Sequence, residues 1–451
     1  MSAASIFFVG QPHEVAHHAA PFRERLNLHI AAPEKVLEQA RPGDLAVFYS
    51  EHFERFRECC QQLKSRNVAT LYMIDGILEW RNAWENQPDE VACPYTMRPA
   101  LAHKIACIGH SQARILDGWG NVGKTEIVGI PRLEHFYDST EPIAAVDSNN
   151  ESDSKIDPEN DTRDFRVLVM TAKTPGFTPE QIQTVTQSLR DLKTWHANNP
   201  TIGRRKVEFV WRLTGGLAEQ IEVENQLADL SGGELKEMLN SVDAVVTTPS
   251  TAMLESMLMN LPVAVLDYHN CPHYVTCGWD ICSAEHIDIA MQQMSQRNEA
   301  RMLFQNNELQ DSLHCCDSAT DRFVELAESM LAMAKQKITA GEALEFPARM
   351  LSNSPIRLTD FSHDRLYPNA QEFLVTDKTE LQVQLSHARR EVVQLQHELK
   401  QTQSTLEEAH AILDQIEQHP IAGPIVKVRK RFKDWIAAFR NRKRNRKPTT
   451  P

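Results

Sequence analysis

DAVVTTPSTAMLESMLMNLPVAVLDY, residues Asp243–Tyr268, decides the fold. Asp243–Thr248 is a short apolar run rich in Val and Thr, the composition of a buried strand, and Pro249 ends it because proline has no amide proton to give a ladder. Ser250 then stands where a helix N-cap belongs, and Met253, Leu254, Met257 and Leu258 fall on one apolar face of the helix that follows. Asn260 and Pro262 close that helix, and Val263–Leu266 begins a second buried strand. Two buried strands joined through a helix make a βαβ unit, which implies a parallel sheet with its ligand crevice at the carboxyl ends of the strands. There Ser250 and Thr251 point amides and hydroxyls into the crevice from a helix N-terminus, a place that favours a phosphate or diphosphate. Backbone capping alone also accounts for the serine. It does not account for Glu255, one turn beyond Thr251, because Met253 holds the capping-box position.

Outward from this unit the alternation of strands and helices continues. Phe165–Thr171, a helix from about Pro179 to His196, and Val207–Arg212 precede it, and helices over about 285–337 follow. A second alternation fills the N-terminal part, with strands at Ile6–Gly10, Asp44–Tyr49, Ala69–Ile74, Ile105–Gly109 and Glu126–Ile130 and a charged helix over Phe53–Lys64. Between the two runs an acidic stretch almost free of large apolar groups, and it reads as a flexible linker. The expected organisation is α/β, with two Rossmann-like domains facing a cleft: residues 1–137, a linker over 138–164, and a second domain over 165–345.

A connector over 346–375 leads to a heptad pattern over 376–418, in which Leu381, Leu385, Ala388, Val392, Leu395, Leu399, Thr402, Leu406, Ala409, Leu413 and Ile416 alternate four and three apart. About 35 residues of it make a rod of roughly 50 Å, read as a homodimeric coiled coil, the plainer alternative being a lone helix packed on the body. Residues 421–447 carry Ile425, Val428, Phe432, Trp435, Ile436 and Phe439 as one apolar stripe among Lys and Arg. That is the pattern of a basic amphipathic helix lying on an anionic membrane surface; contact with nucleic acid or simple solvation are the alternatives for its last residues.

The net charge of −13 conceals this asymmetry. Residues 421–451 hold eleven Lys/Arg against one Asp, a local +10, so the rest carries −23 and does not look like a nucleic-acid binder. Nine cysteines without a CxxC suggest reduced thiols. No export signal and no stretch of membrane-span length are found, so the expected location is cytoplasmic, peripheral on the inner face of a membrane through the basic tail.

Two motifs are decoys. Gly118–Thr125, GWGNVGKT, has P-loop and dinucleotide spacing, but it follows a helix and precedes a strand, the reverse of what either motif requires. His269, Cys271, His273, Cys277 and Cys282 fit no ordinary zinc spacing, so no metal is assigned. Position is more informative, since this loop leaves a strand end and places His273 in the crevice with Ser250. Lys173 and Arg212 follow other strand ends, as cations able to offset a diphosphate; an ordinary surface role is the plainer reading for one of the two. In the first domain, His13, Asp75 and His110 occupy strand ends, within reach of an acceptor hydroxyl as catalytic bases. Asp75, in MIDGILEW beside Trp80, is the first choice, with a simple turn residue as its alternative; His17 and His18 read as a solvated helix face.

The run GELKEMLNSVDAVVTTPSTAMLESMLMNLPVAVLDY resembles the C-terminal donor domain of GT-B glycosyltransferases, including the relatives that polymerise glycerol phosphate and the nucleotide-sugar 2-epimerases, and KTEIVGIPRLEHF is similar to the strand that ends their N-terminal domain. The resemblance implies a nucleotide-sugar donor, with Ser250 and Thr251 at the phosphates, Glu255 at the ribose or sugar, Lys173 and Arg212 as the accompanying cations, and no cofactor or metal. Asn260 replaces the usual glycine, and the first glutamate of the retaining enzymes' pair is missing, which leaves stereochemistry open. The function this implies is transfer of a sugar to a glycan or lipid-linked acceptor, in cell-surface polysaccharide or glycolipid synthesis. A 2-epimerase, a glycerophosphotransferase-like enzyme and a non-catalytic scaffold are the alternatives.

Overall fold

Apolar strand sequences too short to be stable alone become the centres of two sheets in the computed structural model, which describes residues 4–85, 97–137, 163–223, 226–227 and 233–351. The first sheet is built from β1 (Ile6–Val9), α1 (Pro12–Ala19), β2 (Leu28–Ala31), α2 (Pro33–Gln39), β3 (Leu45–Phe48), α3 (Glu54–Ser65), β4 (Ala69–Met73), β5 (Lys104–Cys107), α4 (His110–Leu116), β6 (Thr125–Ile127) and α5 (Glu134–Tyr137). Its six strands run parallel in the order β2-β1-β3-β4-β5-β6. The order turns around β1, which places a ligand crevice outside the carboxyl ends of β1 and β3.

The second sheet comes from β7 (Phe165–Met170), α6 (Pro179–Asn198), β8 (Thr201–Ile202), β9 (Arg205–Arg212), α7 (Leu217–Ile221), α8 (Gly233–Asn240), β10 (Ala244–Thr247), α9 (Ala252–Leu258), β11 (Val263–Leu266) and β12 (Trp279–Ile281), followed by α10 (Ala284–Ser295), α11 (Glu299–Ser312) and α12 (Ala319–Ala340). The order is β12-β11-β10-β7-β9-β8, all parallel except the β8–β9 edge. Val246 of β10 lies between Val169 of β7 and Ala264 of β11. The βαβ unit of Asp243–Tyr268 is therefore β10-α9-β11. It sits at the turning point of the second sheet, where β10 and β9 flank β7 on opposite sides.

One assignment is corrected. Residues 319–345 were expected to finish the second domain, but Phe323, Val324, Leu326, Ala327, Met330 and Ala334 of α12 pack with Ile6, Phe8, Phe22, Leu45 and Leu71 of the first. Arg322 donates to the Ile127 carbonyl, Ser318 and Thr320 donate to the Glu134 carboxylate, and Leu344 and Leu351 join the same core. The chain thus returns to its first domain after α11. Both domains also share an apolar seam, in which Ile108, Ile130, Leu133 and Phe136 meet Met253, Leu254, Met257 and Leu258. The glycine-rich segment is a helix-to-strand turn, with Asp117–Asn121 extending α4 and Thr125 opening β6.

Among the described residues no helix is long and apolar enough to cross a membrane. The coiled coil, the basic tail and nearly all of the acidic linker lie outside them.

Candidate functional site

Burial of carboxylates at strand ends demands cations, and the cleft supplies one that serves both domains. Asp75 leaves the carboxyl end of β4, and its side chain is only 9% exposed. Its Oδ2 is 2.7 Å from His18 Nδ1 and 2.9 Å from Arg132 Nε. Arg132 follows β6, in the turn that begins at Pro131, and its Nη1 donates to Glu255 Oε1 of α9 at 2.8 Å. A continuous chain His18–Asp75–Arg132–Glu255 therefore crosses from the first domain to the second. Burial alone would push the Asp75 carboxyl up, but the His18 and Arg132 contacts outweigh it and hold the group below the usual carboxylate range. His18, expected on a solvated face, instead has a side chain 11% exposed against Asp75; His17 beside it is exposed.

The Ser250–Thr251 turn differs in detail from the expectation. α9 spans seven residues, and its N-cap is Thr251, not Ser250; neither side chain caps it. Met253 N donates to the Ser250 carbonyl at 3.1 Å, so Ser250 opens the first tight turn. Ser250 Oγ lies 3.4 Å from Thr247 Oγ1, and Thr251 Oγ1 receives the Ile77 amide of the first domain at 3.3 Å. Close approach explains Gly76 here: a Cβ at that position would stand 2.5 Å from Thr251 Oγ1.

The remaining candidates divide. Lys173 is exposed at the end of β7 and lies near enough to His17 to help depress the imidazole's basicity; partial desolvation of the ring contributes most, although the residue as a whole is exposed, and His18 adds to it. Arg212 ends β9, where its carbonyl takes the Thr171 amide and its Nη1 reaches Met170 Sδ at 4.0 Å. His273 Nε2 meets Asp267 Oδ2 at 2.9 Å and its Nδ1 lies 3.5 Å from Asp280. Burial opposes its charge, yet the two carboxylates prevail and raise it to about 9, so it is a cation at neutral pH. His13 stands exposed in the first turn of α1, outside the ion-pair chain, and His110 is half-buried as the first residue of α4.

Sequence reasoning missed Arg132 and misplaced His18. A signal for Arg132 was present, since it stands in the turn that follows the strand Thr125–Ile127, as Lys173 stands after β7. Among the described residues the one group whose ligand-type atoms converge is His17, His18 and Asp75, within 4.8 Å of one another. Arg132 already occupies the Asp75 oxygen, and a guanidinium there opposes a metal ion.

Fold and site together define a two-domain α/β protein whose parallel sheets meet across a charged cleft, with a Ser-Thr turn on one wall and a His–Asp–Arg chain on the other. It is similar in structure to MnaA from S. aureus in complex with UDP (12% identical, covering 74% of this chain and 97% of that one, TM-score 0.47). It is also similar to UDP-GlcNAc 2-epimerase from Neisseria meningitidis bound to UDP-GlcNAc (12% identical, 72% and 99% covered, TM-score 0.47) and to the wall teichoic acid polymerase TagF (11% identical, 75% and 89% covered, TM-score 0.43). No protein family and no curated protein matches the sequence.

Proposed function

We propose that the protein is a GT-B enzyme acting on a nucleotide-sugar, and more narrowly a glycosyltransferase serving a cell-surface glycan or glycolipid. The observation that carries this reading is the meeting of the two domains beside the Ser250–Thr251 turn, where Thr251 takes the Ile77 amide and Glu255 shares Arg132 with Asp75. Hydroxyls and amides of the turn suit a diphosphate, and Lys173 and Arg132 offset its charge. Glu255 accepts from ribose or sugar hydroxyls in exchange for Arg132.

Asp75 fits an orienting carboxylate better than a base, since its anion is held below the usual range. Its contact with His18 Nδ1 leaves Nε2 as the nitrogen that takes the acceptor's proton. The acceptor oxygen then bonds to the sugar carbon as the bond to the diphosphate breaks and its electron pair leaves on the nucleotide. No metal enters this scheme, so activity survives EDTA. The tail on a membrane and the coil as a dimer belong to the same proposal; loss of flotation with liposomes, and of dimer mass, on removing residues 376–451 tests both.

Calorimetry with UDP, GDP, ADP and CDP tests the core of the reading: one of them binds, and the Ser250→Ala/Thr251→Ala variant loses about tenfold or more of that affinity. Binding of none overturns it. A second reading, epimerisation of the sugar nucleotide itself, draws on the convergence of acid/base groups from both domains on one donor position. Exchange of a sugar C–H for deuterium in D₂O without an acceptor supports epimerisation; its absence, with transfer to added acceptor, supports the transferase.

A further inference from the structure

A second group of basic side chains gathers at the amino ends of the first sheet, the end of the strands opposite the crevice. His103 directly precedes β5, Lys124 directly precedes β6, and Lys64 lies in the last turn of α3, which leads into β4. Lys64 Nζ donates to the Leu101 carbonyl and Lys124 Nζ to the Ala100 carbonyl at 2.6 Å, so two consecutive peptide groups hold both ammoniums on one loop. All three side chains are half-buried. An ammonium carries three N–H donors, and each lysine spends one of them on the protein among the described residues.

His103 adds a donor to the set. Its Nδ1 lies 3.1 Å from the Thr70 amide nitrogen, which can only donate, so Nδ1 is the acceptor and the proton of the neutral ring sits on Nε2. The ring is neutral because burial, and then the charges of Lys64 and Lys124, push it down to about 3. Burial and Lys64 depress the Lys124 ammonium in the same way. The carboxyl that bears on Lys124 is Glu51, 0% exposed, and it is a weak counterion: both its oxygens take the Leu101 amide, Oε1 also takes the Ala102 amide, burial raises it, and Arg57 draws on the same charge. The loop therefore presents positive charge and spare N–H donors in excess of its own acceptors, which is the recognition chemistry of a compact oxyanion. We propose that Lys64, Lys124 and His103 form a second anion site, remote from the cleft, that takes a dianionic phosphate group. Inorganic phosphate and the phosphomonoester headgroup of a lipid both present that group. The inference does not depend on the nucleotide-sugar reading of the cleft.

Calorimetry with inorganic phosphate at pH 7 tests the site in the full chain carrying Ser250→Ala/Thr251→Ala, which removes uptake at the turn. One phosphate should bind per chain. On that background Lys64→Gln/Lys124→Gln should lose about tenfold or more of the affinity, and His103→Phe about threefold. Lys64→Arg/Lys124→Arg keeps both charges and should keep most of the binding. Where the glutamine variant lowers the unliganded melting temperature, His103→Phe carries the test. Flotation of the same chains with phosphatidylcholine vesicles containing phosphatidic acid or, at matched charge, phosphatidylglycerol identifies the source of the phosphate. A preference for phosphatidic acid that Lys64→Gln/Lys124→Gln abolishes assigns the lipid headgroup; phosphate binding without that preference assigns the free ion. Absence of both the binding and the preference, or persistence of either one unchanged in the glutamine variant, overturns the site.

Discussion

Arg132 is the residue on which both sides of the cleft depend, because one guanidinium serves two buried carboxylates that would otherwise face each other across the seam. Removing one partner of such a network leaves uncompensated charge, an effect of a few kcal/mol when fully buried. Arg132 itself is 29% exposed, so solvent reduces this to about 1–3 kcal/mol for Arg132→Met. Urea denaturation at pH 7 measures it, and Arg132→Lys recovers only part, since an ammonium cannot span both acceptors. Asp75 is the depressed carboxyl, so its contribution is present above its unfolded value of about 4 and is lost as pH falls through the folded value. Arg132→Met should therefore also flatten the acid side of the stability profile.

His273 has the opposite sign. Its folded value, raised to about 9, means that the stabilisation is complete below about 6.5 and disappears as pH rises toward 9. The size is on the order of 3 kcal/mol. His273→Gln should abolish that decline between pH 6.5 and 9 in chemical denaturation, and it should also weaken the acid side, because His273 helps hold the buried Asp267 carboxyl below its usual range.

At the scale of elements, the domains are held by close backbone approach as much as by charge. Gly109, before α4, stands against α11: a Cβ there would lie 2.3 Å from the Ser312 carbonyl oxygen, and Arg114 pairs with Asp311 through two bonds alongside. Gly109→Ala must push backbone, so α4 and α11 separate, with a loss of about 2–4 kcal/mol. Gly76→Ala meets only the Thr251 hydroxyl, and should cost about 1 kcal/mol through the Ile77–Thr251 bond. Parallel melts of the two variants check the ranking.

The elements legible in the sequence were those with an unambiguous burial pattern. β10, α9 and β11 were found because Val, Ala and Leu runs bounded by proline have few other interpretations. β2 (LHIA) and β12 (WDI) escaped because they are short edge strands, where Leu28 and Ile30 are only partly buried and Asp280 is exposed. The apolar stripe of α12 was evident, but a stripe states that a face is buried and not which sheet covers it. For the same reason the positions of Ser250, Thr251, Glu255 and Asp75 could be read from strand ends, whereas the partnership of Asp75 with His18 depends on how α1 lies against β4.

Over the whole molecule, the segment after α12 closes the first sheet. Lys104, 1% exposed in its side chain, pairs with Glu126 and donates to the carbonyls of Gly123, Pro347 and Ala348, while the Met350 amide donates to Glu126. A chain ending at 343 strands this buried pair; one ending at 351 keeps its partners. The shorter protein should be less stable by about 3 kcal/mol or more, read as a lower urea midpoint for the first domain.

The return of α12 gives the connectivity a further meaning. Residues 163–312 are an insertion, spliced into a first domain whose sequence resumes at about 313. In sequence the inserted lobe is joined to the first domain at both of its ends, so a single cut at one join leaves it covalently attached by the other. Because Arg132 and the Thr251–Ile77 bond also tie the lobes, a singly nicked protein keeps both walls of its cleft.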